Sequence, residues 1–208
     1  TISTFTLGSN IELFMDGTAS VPCVIMGDTG TLTHRHWTTA ADTAAARPVF
    51  TMGAYDFNQN GDDYWTVHGL WFDNYTVACW APDAASVSIS DCVFTHANAA
   101  NDYAIMSQAG TGTITITDCT FDGTAIGSDG TNYGVGILSR NMAVIVTNCI
   151  FNDMTAAITC DGAGRSWAFN CTFGTTGSEG ANTTDVSGRN IMVIGGSMIA
   201  SPIFTANT

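Results

Sequence analysis

Residues 113–121 read Thr-Ile-Thr-Ile-Thr-Asp-Cys-Thr-Phe, and this stretch decides the interpretation of the whole chain. Apolar and hydroxyl residues alternate over its first five positions, which is the pattern of a strand with one buried face. An Asp follows, and then a Cys and a Phe with one residue between them. The same arrangement returns elsewhere, in three close copies and two weaker ones: 87–94, 144–151 and 166–173, then 65–72 and 191–198.

The copies recur at intervals that are typical of a solenoid. Counted at the Cys position, neighbouring copies are 22 to 30 residues apart. A unit of this length buries its apolar face only by stacking on the next unit. The composition agrees, because the chain has 22 Gly and shows no apolar period of helical type.

The residue before the Cys position has the same chemistry in every copy. It is always Gly, Asn or Asp, the residues that tolerate a left-handed backbone. We name this set the bend ladder: Gly69, Asp91, Asp118, Asn148, Asn170 and Gly195. A strand that turns sharply once per repeat needs a positive φ at that point. The sequence therefore predicts an all-β fold, a right-handed single-stranded parallel β-helix of about six to eight coils.

The domain organisation follows from this repeat. Residues 1–208 are interpreted as a single β-helix domain, with a polar loop excursion at 28–46. The chain has no initiating Met and opens in the middle of a strand, so we expect it to be a fragment or a processed part of a longer chain. It contains no run of 18 apolar residues, and we predict no membrane span.

Charge limits the partners. The chain has no Lys, five Arg and 18 acidic residues, with a formal net charge of −13. Nucleic-acid binding depends on Lys and Arg that neutralise phosphates, so this balance argues against a nucleic-acid partner. It favours solubility and repulsion from acidic surfaces, which suits an extracellular or virion-surface location.

Four of the seven Cys residues occupy the same repeat position: Cys92, Cys119, Cys149 and Cys171. Stacked side chains point in the same direction, which is poor geometry for a disulfide. A free Cys behaves as a small buried apolar residue, so we expect these four to pack inside the solenoid. The spacing alone leaves open whether Cys79 and Cys160 form a disulfide.

Two stretches carry a resemblance to a known family. Residues 17–29 read Gly-Thr-Ala-Ser-Val-Pro-Cys-Val-Ile-Met-Gly-Asp-Thr, and residues 67–74 read Val-His-Gly-Leu-Trp-Phe-Asp-Asn. They resemble the pectate-lyase-like superfamily, in particular right-handed β-helix proteins of phage structural genes and of secreted bacterial proteins. This superfamily holds lyases, hydrolases, tailspikes and adhesins, so the resemblance implies a fold more than an activity. The favoured interpretation is a structural and interaction module on a virion or cell surface, with a polysaccharide as one candidate ligand.

The alternative is a polysaccharide lyase or a glycoside hydrolase. The resemblance implies a Lys or Arg base in lyases, and this chain has no Lys. It implies Asp pairs and a His on successive coils in galacturonases, whereas Asp62, Asp63 and His68 fall within one coil. Asp91 and Asp118 should stack, but their place in the bend ladder accounts for them. We therefore assign no catalytic residue.

One segment resembles the start of a calcium loop. Asp56, Asn58 and Asn60 provide oxygen ligands at alternate positions and are followed by a Gly. Asp62 or Asp63 would replace the Glu that such loops have at their end. Asn, Asp and Gly are also ordinary turn residues. Calcium is the one cofactor that the sequence predicts.

The repeat register also predicts which side chains face outward. The outward positions carry mostly hydroxyl groups in the early coils and become apolar from residue 145 onward. We name the later residues the apolar strip: Ile145, Trp167, Phe169, Met192 and Ile194. A contiguous exposed apolar surface usually marks a contact. The contact could be another protomer, in a trimer or an end-to-end stack, another surface protein, or a sugar ring; alternatively, the register slips by one and buries these side chains.

Overall fold

The computed structural model describes thirteen segments of the chain: 4–9, 11–12, 18–27, 48–58, 63–80, 86–99, 102–107, 110–123, 134–161, 163–174, 185–188, 191–198 and 204–205. These segments form strands and turns, and none of them is helical. The strands build a parallel β-solenoid with three sheets, which confirms the predicted all-β fold. The right-handed winding and the number of coils stay predictions. The polar excursion at 28–46 lies outside the described residues.

Successive strands pass from the third sheet to the first and then to the second, and all pairings within the sheets are parallel. The first sheet stacks β1 (Thr4–Thr6), β4 (Val49–Gly53), β7 (Trp71–Tyr75), β10 (Val93–Ala97), β13 (Thr120–Asp122), β16 (Ile150–Asn152), β19 (Thr172–Gly174) and β22 (Ser197–Met198). The second stacks β2 (Ile11–Glu12), β5 (Phe57–Asn58), β8 (Val77–Trp80), β11 (Tyr103–Ser107), β14 (Val135–Ser139), β17 (Ala156–Cys160), β20 (Asp185–Gly188) and β23 (Phe204–Thr205). The third stacks β3 (Cys23–Met26), β6 (Trp65–His68), β9 (Ser86–Ser90), β12 (Thr113–Thr117), β15 (Ala143–Thr147), β18 (Arg165–Phe169) and β21 (Ile191–Ile194).

A ladder of phenylalanine rings forms the centre of the core. Consecutive first-sheet strands each bury a Phe at the same position, and adjacent ring centroids lie 4.7 to 5.4 Å apart from Phe72 to Phe173. The ring planes are nearly parallel, so each ring stacks on the ring of the next coil. Stacking of this kind adds to the gain from apolar burial and fixes the coils in one register.

The four repeat cysteines stack beside these rings, as predicted, and are at most 1 % exposed. Each thiol donates a hydrogen bond to the carbonyl oxygen two residues earlier, at 3.3 to 3.4 Å. All seven cysteines are free thiols, including Cys79 and Cys160. The last copy has Gly196 at this position, where φ is +91° and a Cβ would lie 2.0 Å from the Cys171 carbonyl oxygen, so no side chain fits.

The six residues of the bend ladder all have positive φ, between 51° and 69°. They connect the third sheet to the first. Three of them are also joined side chain to side chain, because Asn170 donates to Asn148 at 2.9 Å and Asn148 donates to Asp118 at 3.1 Å. The bend is therefore held by backbone conformation and by a chain of amide hydrogen bonds along the solenoid.

A second left-handed bend lies at the end of several first-sheet strands, and the sequence interpretation missed it. Its residues with positive φ are Gly53, Asn74, His96 and Asp153. This bend turns the chain from the first sheet into the second. Beside it, outward residues of successive first-sheet strands lie close together, such as Asp73 and His96.

Candidate binding surfaces on two outer faces

The apolar strip lies on the outer face of the third sheet. Ile145 pairs with Trp167 and Trp167 with Met192, while Phe169 pairs with Ile194 on the adjacent row. Met192 and Ile194 are 51 % and 49 % exposed, and the other three members are half-buried. The structure therefore brings all five residues together on one surface.

The inward positions of the same strands show that the register has not slipped. Val144, Val146 and Ala168 alternate with the strip residues and are completely buried. Ser166 is likewise buried, beside the outward Trp167. A slip of one residue would have buried the aromatic rings instead, so that alternative is wrong.

The opposite end of this face is apolar as well. Val24 and Met26 on β3 are 48 % and 43 % exposed and continue the same two outward rows. Between the two ends the rows carry mainly hydroxyl side chains: Thr66, Ser88, Ser90, Thr115, Thr117 and Thr147. The outer face is thus apolar at both ends and uncharged but polar in the middle.

This face is also nearly free of charge. Its outward positions include no Asp or Glu, although the chain has 18 acidic residues. The one permanently charged side chain is Arg165, at the beginning of β18. His68 lies toward the bend, where its Nδ1 contacts Ser90 Oγ at 2.9 Å and Asp91 Oδ2 at 3.4 Å. Among the residues that the structure describes, the acidic side chains therefore lie outside these two outward rows.

The predicted calcium segment is described only in part. Asp56 and Asp63 are half-buried, and the backbone of Asn58 belongs to β5. Asn60 and Asp62 lie outside the described residues. Among the residues that the structure describes, no group of three or more His, Cys, Asp or Glu side chains could hold a metal ion. Calcium at this segment stays a prediction.

The second candidate site is polar and occupies the outer face of the first sheet. His96 Nδ1 lies 2.6 Å from Asp73 Oδ1, and the two residues belong to adjacent strands, β10 and β7. The side chains are 36 % and 25 % exposed, so solvent and ligands reach both. An imidazole held by a carboxylate in this way can accept or donate a proton at its opposite nitrogen.

The same carboxylate is held by a chain of two further hydrogen bonds. Thr95 donates its hydroxyl proton to Asp73 Oδ1 at 2.7 Å, and the Trp71 indole N–H donates to Thr95 Oγ1 at 2.7 Å. Val93, the register partner of Trp71, is only 6 % exposed although its strand position faces outward. To reach Thr95 the indole must pass alongside Val93, so the ring lies across the sheet surface.

Asp122 completes this group on the next strand, β13. It is in register with Thr95, which is in register with Asp73, so the two carboxylates are two strands apart. Two strand spacings correspond to about 9.5 Å. The charge of Asp122 acts on His96, which belongs to the strand between those of the two carboxylates.

The pKa values of the pair shift in opposite directions. The hydrogen bond to Asp73 raises the pKa of His96, with partial burial opposing the rise and the charges of Asp73 and Asp122 adding to it. Partial burial would raise the pKa of Asp73, but the hydrogen bonds from His96 and Thr95 outweigh it and lower the pKa. The pair therefore favours an imidazolium beside a carboxylate.

The sequence interpretation missed this site, although a signal for it was present. Asp73, Thr95, Asp122 and Asn152 each follow the Cys position by three residues. They alternate with the buried phenylalanines, so the register that located the apolar strip also places them outward. Following that register one position past the Phe would have identified the polar row.

Comparisons with known proteins give no relative. No protein-family model, no curated protein and no solved structure matches this chain significantly. In the part of the chain that the structure describes, no helix is long and apolar enough to cross a membrane.

Proposed function

We propose that this chain is a structural and interaction module that associates with a second copy of itself through the outer face of its third sheet. The apolar strip is the observation that carries this proposal. A contiguous apolar surface lies on this strongly acidic chain. It consists of the partly exposed Trp167 and Phe169 together with Met192 and Ile194. Burial of such a surface is the main favourable term in protein association.

A second copy suits this face because the face matches itself. When two such faces meet about an axis parallel to the solenoid, each strand lies opposite the same strand of the other copy. Apolar ends then meet apolar ends, and the hydroxyl rows around Thr115 and Thr117 meet each other. No carboxylates are brought together on these rows, which removes the repulsion that a chain of −13 meets elsewhere.

The size of the face predicts a weak complex. Seven strands at about 4.8 Å spacing, with four or five residues each, give a footprint of about 30 Å by 15 Å. This lies at the small end of protein interfaces, so association should be reversible and concentration dependent. A trimer would use the same apolar residues with a different symmetry, whereas an end-to-end stack would join the terminal coils.

Sedimentation velocity at low and high salt tests the proposal. An uncharged interface between two strongly acidic molecules should strengthen as salt screens their repulsion. We expect the associated fraction to rise with sodium chloride at a fixed protein concentration. A fraction that falls with salt would indicate an interface built on ion pairs, which this face does not provide.

The proposed setting is extracellular, on a virion or cell surface, and the proposed relationship is to the pectate-lyase-like superfamily. Support comes from the solenoid fold and from the acidic, Lys-free composition.

We also propose that calcium binds at the segment from Asp56 to Asp63. Binding there would raise the melting temperature in millimolar calcium and leave it unchanged in magnesium, because a ligand of the folded state stabilises by mass action.

A glycoside hydrolase is the second candidate, and Asp73, His96 and Asp122 favour it. These residues lie on three successive coils, which is the arrangement that the resemblance implied for hydrolases. The backbones of Asp73 and Asp122 are about 9.5 Å apart. In inverting enzymes the two carboxyl groups are about 6.5–9.5 Å apart. Release of reducing ends from a polysaccharide, abolished by Asp122→Asn, would support this candidate.

A further inference from the structure

We propose that the outer face of the first sheet carries a binding subsite for a neutral saccharide, formed by Trp71, Asp73, His96 and Asp122. The subsite goes beyond the proposed self-association and concerns the residues of the hydrolase candidate. It does not depend on self-association, because it lies on a different sheet from the apolar strip. It also does not depend on whether the bound saccharide is cleaved.

Trp71 provides the apolar surface that a sugar ring needs. Its indole N–H is bound to Thr95 Oγ1, and this fixes the ring across the face beside the buried Val93. The indole is only half-buried, so part of it is open to solvent. A flat aromatic ring in a fixed position can stack on the C–H face of a pyranose with little loss of side-chain entropy.

The polar groups beside Trp71 suit sugar hydroxyls. Asp73 and Asp122 are hydrogen-bond acceptors on the two strands that flank the strand of His96, and Asp73 binds Nδ1 of the imidazole, which leaves its opposite nitrogen for a ligand. Hydroxyl groups bind ionised acceptors about twice as strongly as neutral ones. An aromatic platform next to a few convergent polar groups is the usual composition of a small-molecule site.

The site is already organised before any ligand binds. The hydrogen bonds run from Trp71 through Thr95 to Asp73, and His96 approaches the same Asp73 oxygen. His96 has a φ of 57°, at a bend where Asn74 and Asp153 of other coils have φ of 54° and 48°. A residue other than Gly, Asn or Asp in this conformation carries backbone strain, and such strain is often found at binding sites.

The charges of the subsite select a neutral ligand. Two carboxylates flank one imidazole, so the net charge is negative whatever the protonation state of His96. The whole chain carries −13 and repels anionic polymers at long range. Uronic-acid polymers are therefore disfavoured, and neutral hexose or pentose chains are the class that fits.

Titration calorimetry tests this with a panel of neutral oligosaccharides: cellohexaose, xylohexaose, mannohexaose and maltohexaose, with a galacturonate hexamer for comparison. We expect at least one neutral probe to bind and the galacturonate not to bind. Trp71→Ala should weaken binding by about tenfold or more, which is the loss typical of a binding hot spot. Asp122→Asn and His96→Gln provide further tests that leave the core unchanged.

Trp167→Ala is the matched control, because it removes an outward Trp from the third sheet. It should leave saccharide binding unchanged even where it abolishes self-association. Three results would overturn the proposal: no neutral probe binds, binding survives Trp71→Ala in the folded protein, or Trp167→Ala abolishes it. A failure of self-association in the wild type would leave these results unaffected.

Discussion

Left-handed backbone conformations at single residues shape each coil of this molecule. Eight residues other than Gly have positive φ in the described chain, and six of them are Asn or Asp. Their short polar side chains lower the cost of this conformation because they bond to nearby groups. Asn148 shows both features, with a φ of 55° and hydrogen bonds to Asp118 and Asn170.

Replacing Asn148 tests the role of the bend. Asn148→Val should lower the free energy of unfolding by about 1–3 kcal/mol, because a β-branched residue is strained at this φ. Asn148→Gly is the control and should be nearly neutral, since it relieves the backbone while losing exposed hydrogen bonds. Chemical denaturation measures both. Equal stability of the Val and Gly variants would contradict the proposed cost.

His96 should show the electrostatics of the second site directly. An NMR titration should place its pKa above the ordinary value of 6.5, and Asp73→Asn should lower it. A raised pKa stabilises the fold fully below the unfolded value, and this contribution is lost as the pH rises through the folded value. Asp73, whose pKa is lowered, contributes above its unfolded value and loses that contribution as the pH falls through its folded value.

Both contributions are therefore fully present between the unfolded pKa of Asp73 and the unfolded pKa of His96, and each declines toward the folded pKa of its group outside that window. His96→Gln should remove the loss of stability on the alkaline side of that window, which denaturation at several pH values will show. Asp122 also faces His96, so Asp122→Asn should lower the His96 pKa by a smaller amount than Asp73→Asn. A wild-type pKa at or below 6.5 would contradict the assigned pairing.

At the scale of the strands, the first sheet carries the core through its phenylalanine ladder. Phe121 is in the middle, completely buried, with neighbouring rings at 4.9 and 4.7 Å. Its removal would open a cavity on both sides, because the rings of adjacent coils are held by their own strands. The cost of such a cavity adds to the lost burial.

Phe121→Ala should therefore lower the free energy of unfolding by about 3–5 kcal/mol. The control is Ile150→Ala on the next strand, where the side chain faces outward and is 40 % exposed. It should change stability by no more than about 0.5 kcal/mol. Urea titration followed by circular dichroism distinguishes the two. Similar losses for both variants would mean that the ladder is not the main stabilising element.

The strands differ in how well the sequence reveals them. β12 and its neighbours alternate buried and outward residues, so their pattern predicts them and their register. β14 is buried at all five positions, and alternation is absent there. Strands of two or three residues, such as β5 and β13, are too short to show a period. The sequence repeat therefore predicts the third sheet clearly. The full extent of the first and second sheets is evident only from the structure.

The two surfaces also differ in how well the sequence reveals them. The apolar strip lies on strands whose register the sequence provides, so its five residues could be placed together. The Asp73–His96 pair joins residues 23 positions apart, on strands followed by a bend that the sequence interpretation did not identify. Its members look like ordinary turn residues until the coils are stacked.

At the scale of the whole molecule, charge and apolar surface are separated. A chain with a net charge of −13 keeps one broad sheet face almost uncharged and apolar at both ends. Under the proposed self-association, the net negative charge opposes contact between two copies, and the outward rows of this face add no carboxylate to that repulsion. The arrangement favours a single mode of association rather than aggregation from all sides.

Sedimentation equilibrium of three proteins tests this central claim most directly: the wild type, Trp167→Asp and Ile150→Asp. The first substitution places a charge in the apolar strip, and the second places one on an exposed apolar residue of the first sheet. We predict a concentration-dependent mass above the monomer for the wild type and for Ile150→Asp. Trp167→Asp should stay monomeric with an unchanged circular dichroism spectrum. A wild type that is monomeric throughout, a Trp167→Asp variant that still associates, or one that unfolds would contradict the claim.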